Sequence, residues 1–203
     1  MKLYYMAGAC PLAAHIVLEW TGARYETEKL SHDDLKKEAY LRVNPLGMVP
    51  ALEVDGSVIT QNGGVLTYLA ETHPEAGLSG DGTPRGDAEV HRWLGFVNSD
   101  IHPAFKPLFG STAYLGDEAV VEKTKVHARN MLRRLFAIAD AQLKGRDWIA
   151  GRRSIADAYL FVVVRWAYAV KIDLSGLAEV ARYYARLQKD PGVLKALAAE
   201  GLS

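Results

Sequence analysis

The residue with the most accessible chemistry in this chain is Cys10, the only cysteine among its 203 residues. A cysteine thiolate can attack a disulfide or an electrophilic carbon, and a cysteine thiol can hydrogen-bond a sulfur-bearing ligand. Cys10 lies in the stretch KLYYMAGACPLAAHIVLEW, residues 2–20. Residues 2–6 are short, aromatic and apolar, which predicts a strand. Ala7, Gly8 and Ala9 make a tight loop, and Pro11 fits a first helical position, where its missing N–H has no partner to lose. Leu12, Ile16 and Trp20 recur every four residues with Ala13 and Val17 beside them, giving one apolar helical face that Thr21-Gly22 ends. Cys10 is therefore expected at or next to the helix N-cap, where unpaired N–H groups and the helix dipole favour a thiolate. A small residue buried in a loop is the other reading of the same position. This stretch alone does not choose between them.

The elements around this stretch follow from periodicity and turn chemistry. Residues 25–30 (YETEKL) alternate weakly and predict a second strand. Ser31 to Asp34 supply cap-type residues before LKKEAYLRV, a short helix that Asn44-Pro45-Leu46-Gly47 breaks. Asp55-Gly56 is the clearest hairpin signal, between strands near residues 51–54 and 57–60. Gln61-Asn62 opens a further helix with Val65, Leu66 and Leu69 inward. The order β-α-β-α-β-β-α fills residues 1–77.

Residues 75–86 are rich in Gly, Asp, Thr and Pro and read as a linker. Residues 87–203 are helical in period throughout. An amphipathic helix over 87–99 carries Trp93, Leu94 and Val97, and Pro103 and Pro107 are expected to kink or end it. A long helix over 118–143 places Met131, Leu132, Leu135, Phe136 and Ala139 on one stripe. Ser154 to Asp157 has the form of a capping box. It opens AYLFVVVRWAYAV, too apolar all round for a surface helix, so Phe161, Trp166 and Tyr168 are expected in the core.

Composition excludes several classes. Twenty-four basic and 24 acidic residues give a formal net charge of zero, without the basic excess a nucleic-acid partner would call for. No apolar run is long enough for a membrane span, and Gly8, Pro11 and His15 interrupt the N-terminal stretch too early for a signal peptide. One cysteine forms no intrachain disulfide, so a reducing, cytoplasmic location is expected. The six histidines are scattered with no HxxxH or CxxC pair, and no metal is expected.

Four separated blocks together resemble the glutathione transferases, and specifically their bacterial beta class. They are MKLYYMAGACPLAAHIVLEW, VNPLGMVPAL at residues 43–52, ITQNGGVLTYLAE, and WIAGRRSIADAYLFVVVRWAYAVK from residue 148. The resemblance runs essentially end to end. It implies a thioredoxin-like N-terminal domain over residues 1–77, an all-helical C-terminal domain over 87–203, and a homodimer. It also implies an activity: attaching the thiol of reduced glutathione to small hydrophobic electrophiles, with glutathione as co-substrate and no further cofactor.

The resemblance assigns roles residue by residue. Cys10 and His102, the latter in SDIHPAFKPLF, are implied at the sulfur. Val49-Pro50 matches the family's cis-proline turn, which offers the backbone of residue 49 to the cysteinyl unit of the tripeptide. Gln61 and Asn62 fall where the γ-glutamyl end binds at a helix N-terminus, and Lys36 or Lys37 is the candidate basic contact. The electrophile is expected between the domains, beside residues 93–109. Departures from the family pattern are Pro103 where a lysine is common, Gly95 where relatives place an asparagine, and Met6, Pro11 and Asn62. Tyr4, Tyr5 and His15 are expected to have structural roles. Two other activities remain open at the level of sequence. One is a reductase or dehalogenase in which Cys10 forms a mixed disulfide that a second glutathione resolves. The other is a non-enzymatic ligand-binding or regulatory protein with the transferase fold, like the stringent starvation proteins.

Overall fold

The computed structural model describes residues 1–202. Its first part is a four-stranded sheet in the order β2-β1-β3-β4. Strand β1 (Lys2–Tyr5) is parallel to β2 (Glu26–Lys29) and antiparallel to β3 (Ala51–Val54), which pairs antiparallel with β4 (Ser57–Thr60). A parallel pair needs a crossover, and helix α1 (Leu12–Thr21) supplies it. Asp55 and Gly56 join β3 to β4 with φ of 49° and 76°, both positive as a type I′ turn requires. Strand β2 is exposed at all four residues of ETEK, and Lys2 pairs with Glu28 across it at 2.5 Å. Charge on such an edge discourages pairing with other chains.

The period of two in β1 sends consecutive residues to opposite faces. Leu3 and Tyr5 enter the main core with α1 and α3 (Asn62–Thr72). Tyr4 packs on the other face with Leu30, Tyr40 and Ala51, under the short helix α2 (Glu38–Leu41). The sheet with helices on both faces is the thioredoxin-like arrangement. The expected helix through LKKEAYLRV is instead a 3₁₀ turn at Asp34–Lys36 followed by α2, because Lys37 is extended (ψ 142°) between them.

The second part is helical: α4 (Pro84–Gly95), α5 (His102–Ala104), α6 (Glu118–Leu143), α7 (Ile155–Ala169), α8 (Ala178–Leu187) and α9 (Pro191–Glu200). Helix α4 starts three residues before the expected Asp87, with Thr83 accepting from Gly86 N and Pro84 in the first turn. A π-helical turn, Phe96–Ile101, joins α4 to α5. Pro103 lacks an N–H and its ring needs room near the carbonyl four residues back. The π turn widens the backbone before it, and helix α5 ends at Ala104, one residue past Pro103, followed by a 3₁₀ turn at Lys106–Phe109, in keeping with the expected kink or end. Ser154 and Asp157 close a reciprocal capping box at the start of α7, which is buried at 12 positions. Phe161 and Trp166 are in the core as expected. Tyr168 is not: it is exposed, since it lies on the outer side of the last turn against Tyr184. One buried cluster runs from Leu3 through α1 and α3 into α7 and α9, so the two parts share a core. No helix among the described residues is long and apolar enough to cross a membrane.

Candidate functional site

Cys10 sits at the end of the loop between β1 and α1. Gly8 holds a left-handed conformation there (φ 72°), which a side chain would disfavour. The loop is tied from the far end of the chain. Gly8 N donates to Glu200 Oε2 at 2.8 Å, and Trp166 Nε1 donates to Gly8 O at 2.7 Å. Glu200 Oε1 lies 3.2 Å from Nδ1 of buried His15, which gives that histidine its structural role.

The amides at the start of α1 are already occupied. Leu12 N donates to Ala9 O and Ala13 N to Cys10 O, both at 3.1 Å. The thiol of Cys10 donates to Val49 O at 3.6 Å. Burial pushes it up to about 12. Of the two readings left open by the sequence, the thiolate is not the resting state of Cys10: desolvation outweighs the helix dipole.

Across from Cys10, Val49-Pro50 is a cis peptide. The loop before it is braced by Tyr40 Oη and Asn44 Nδ2, which both donate to Met48 O, at 2.7 and 2.6 Å. Gln61 precedes α3 with φ 66° and ψ 125°, a conformation that favours glycine, and it is exposed. Asn62 is buried and donates from Nδ2 to Cys10 O at 3.1 Å, while its Oδ1 has no partner among the described residues.

From the helical part, His102 enters beside these groups. Its Nδ1 is hydrogen-bonded to Tyr159 Oη, and its ring meets Trp166 edge to face with centroids 4.9 Å apart. Burial, helped by the nearby Lys106 charge, holds His102 down at about 4, so the ring is neutral at pH 7. Cys10, Val49, Pro50, Gln61, Asn62 and His102 all line one cavity of about 220 Å³ at the boundary of the two parts. Larger hollows of about 550 and 580 Å³ lie elsewhere and hold neither Cys10 nor His102.

Lys36 is not brought to this cavity. It is exposed, 3.6 Å from Asp33, at the end of the 3₁₀ turn. Lys37 faces a different hollow, paired with Asp34 at 2.7 Å. Gly95 is also outside, whereas Asn98 lines the cavity, as do Asn44, Lys106 and Tyr159. Asn98, His102 and Lys106 recur every four residues, a helical spacing visible in the sequence. The break expected at Pro103 hid it. Lys106 is the one formal charge among the described residues that line the cavity.

The arrangement can do sulfur chemistry. A thiol, a neutral imidazole and the cis Val49-Pro50 backbone converge where two folding units meet, with a cation among the lining residues. The family model for the glutathione S-transferase N-terminal domain matches residues 8–72, and that for the C-terminal domain matches residues 101–191. The chain belongs to the glutathione S-transferase family. It is 50% identical to glutathione S-transferase GST-4.5 of Xanthomonas campestris over the full length of both proteins. A solved glutathione S-transferase from Xylella fastidiosa superposes with a TM-score of 0.97 at 48% identity, covering 100% of this chain and 99% of that one. A bacterial beta-class glutathione S-transferase from Sphingomonas chungbukensis does so with a TM-score of 0.89 at 36% identity, covering all of both chains. The chain is accordingly a transferase of the bacterial beta type, and its candidate site falls at the junction of the two family domains.

Proposed function

We propose that this transferase binds reduced glutathione along the cavity and passes its sulfur to a small hydrophobic electrophile. The observation that carries this is the meeting of Cys10, the cis Val49-Pro50 peptide, the start of α3 and His102 in one cavity. The backbone of Val49 pairs with the cysteinyl unit of the tripeptide as an added strand would. The first backbone amides of α3, that of Asn62 among them, take the γ-glutamyl carboxylate beside Gln61. The glutathione sulfur then lies between Cys10 and His102. Once the tripeptide's N–H takes Val49 O, the single S–H of Cys10 is released from that carbonyl and turns to the sulfur. Cys10 and His102 then both act on it as hydrogen-bond donors, which favours its ionised form. The thiol proton leaves to solvent. The sulfur lone pair forms the new carbon–sulfur bond; in a substitution the displaced group leaves with its bonding electrons, and in an addition the π electrons of the attacked bond move to the neighbouring atom, which takes a proton from solvent. Holding both reactants in place contributes much of the acceleration.

Cys10 is a donor here and not the nucleophile. Its raised pKa and its bond to Val49 O weigh against the mixed-disulfide route. The protein acts as a homodimer in the cytoplasm, a reading supported by the family resemblance and by a lone, partly buried cysteine. The test is conjugation of glutathione to an activated aryl halide. Wild type turns over, Cys10→Ala keeps at least a tenth of that rate, and His102→Ala loses on the order of tenfold or more. Complete loss in Cys10→Ala would return the reaction to the mixed-disulfide route.

A further inference from the structure

Two polar groups, one from each domain, meet at the hydroxyl of Tyr159, a residue without a role in glutathione conjugation as described so far. Tyr159 is fully buried. Its hydroxyl is hydrogen-bonded to His102 Nδ1, and the Asn62 side chain faces the same oxygen. A buried phenol needs such partners, since an unpaired hydroxyl is unfavourable away from water.

The direction of these bonds follows from counting protons. Asn62 gives one amide hydrogen to Cys10 O, and its second is available to the phenol oxygen. Asn62 Oδ1 has no partner, so it does not receive the phenol proton. That proton is left for His102 Nδ1. A neutral imidazole that accepts at Nδ1 carries its hydrogen on Nε2. The edge-to-face packing on Trp166 fixes the ring plane, so the hydrogen has one orientation.

We propose that Tyr159 is a positioning residue that holds His102 as the Nε2–H tautomer, so that His102 acts on the bound sulfur as a hydrogen-bond donor and not as its base. The proposal rests on the transferase reading of the cavity. It links Cys10 to His102 through Asn62 and Tyr159, across the two domains. An imidazole acting as base would need a bare Nε2, with its hydrogen on Nδ1 facing the phenol oxygen.

The test uses the full-length protein labelled with ¹⁵N-histidine. Long-range proton–nitrogen spectra at pH 7 are taken for wild type and Tyr159→Phe, with His102→Gln to assign the signals. Wild type is expected to show the Nε2–H tautomer. Tyr159→Phe keeps the ring and loses the hydroxyl, so its His102 nitrogens shift toward the other tautomer or an average of both. In the same variant kcat toward an aryl halide is expected to fall on the order of tenfold, with KM for glutathione within about twofold. An Nδ1–H tautomer in wild type overturns the proposal. So does a variant with unchanged nitrogen signals or unchanged kcat. The wild-type spectrum decides the tautomer even if the variant fails to fold. Failure of wild type to bind glutathione would strike the transferase reading instead, and the spectrum would still report what Tyr159 does to His102.

Discussion

At Cys10 two opposing effects can be compared directly. The start of a helix stabilises a negative sulfur only if its N–H groups are free to point at it. Here Ala9 O and Cys10 O take the N–H groups of Leu12 and Ala13, leaving that of Cys10 itself toward the sulfur, and the partly buried thiol donates to Val49 O. Burial wins, and the thiol is raised from 9.0 to about 12. Alkylation of Cys10 by iodoacetamide should therefore be slow at pH 7.5 and keep accelerating past pH 10. A rate that levels off below pH 9 would contradict this. His102 is shifted in the opposite sense, from 6.5 to about 4. Between those values the unfolded chain binds the proton and the folded chain does not. The contribution of His102 to stability is thus complete above pH 6.5 and lost as pH falls toward 4. Urea unfolding of wild type and His102→Gln at pH 7 and pH 4.5 should show the smaller acid-side loss in the variant. Equal losses would mean that His102 is not held neutral.

Among the elements, α7 depends most on one side chain. Asp157 accepts from Ser154 N at 3.0 Å and Ile149 N at 2.9 Å, both buried. Asp157→Ala leaves these amides without partners and should destabilise the fold by about 2–4 kcal/mol in urea titration. A change under about 0.5 kcal/mol would contradict the capping account. This box was legible in the sequence because capping chemistry is local, and so was the Asp55-Gly56 hairpin. The helix through residues 35–43 was not, since Lys37 breaks it with no Gly or Pro to mark the place. Elements that form a site by long-range contact were hidden more deeply. Tyr159 reads as one more core aromatic in AYLFVVVRWAYAV, because its partner His102 is 57 residues away. Asn98 and Lys106 have a helical spacing from His102, but Pro103 argues for a kink or an end between them, and they lie in a π turn and a 3₁₀ turn on either side of the short α5. Gln61 and Asn62 are placed by resemblance alone; the buried Oδ1 of Asn62 and the strained φ of Gln61 arise from packing between distant segments and leave no local signal in the sequence.

At the scale of the whole molecule, the two domains share one core and are joined at the site. Helix α1 lies against α3 on one side and against α7 and α9 on the other. Such a shared interior predicts one cooperative thermal transition, read by calorimetry and by circular dichroism at the same midpoint. Two resolved transitions would mean that the domains unfold separately. The loop carrying Cys10 is tied to the C-terminal helix by Glu200, which bonds Gly8 N and His15 without touching the cavity. Glu200→Ala strips a buried network and should destabilise the protein by about 2–4 kcal/mol. It should also weaken glutathione binding several-fold, because the loop loses its anchor.

The central claim is that this cavity binds reduced glutathione and that Cys10 contributes a hydrogen bond, not a covalent bond. Calorimetric titration of the reduced wild-type protein and of Cys10→Ala with glutathione tests it most directly. Binding in both, at sub-millimolar to millimolar strength and with affinities within about tenfold of each other, is the predicted result, since one hydrogen bond is worth roughly that much. No binding by the wild type would contradict the account.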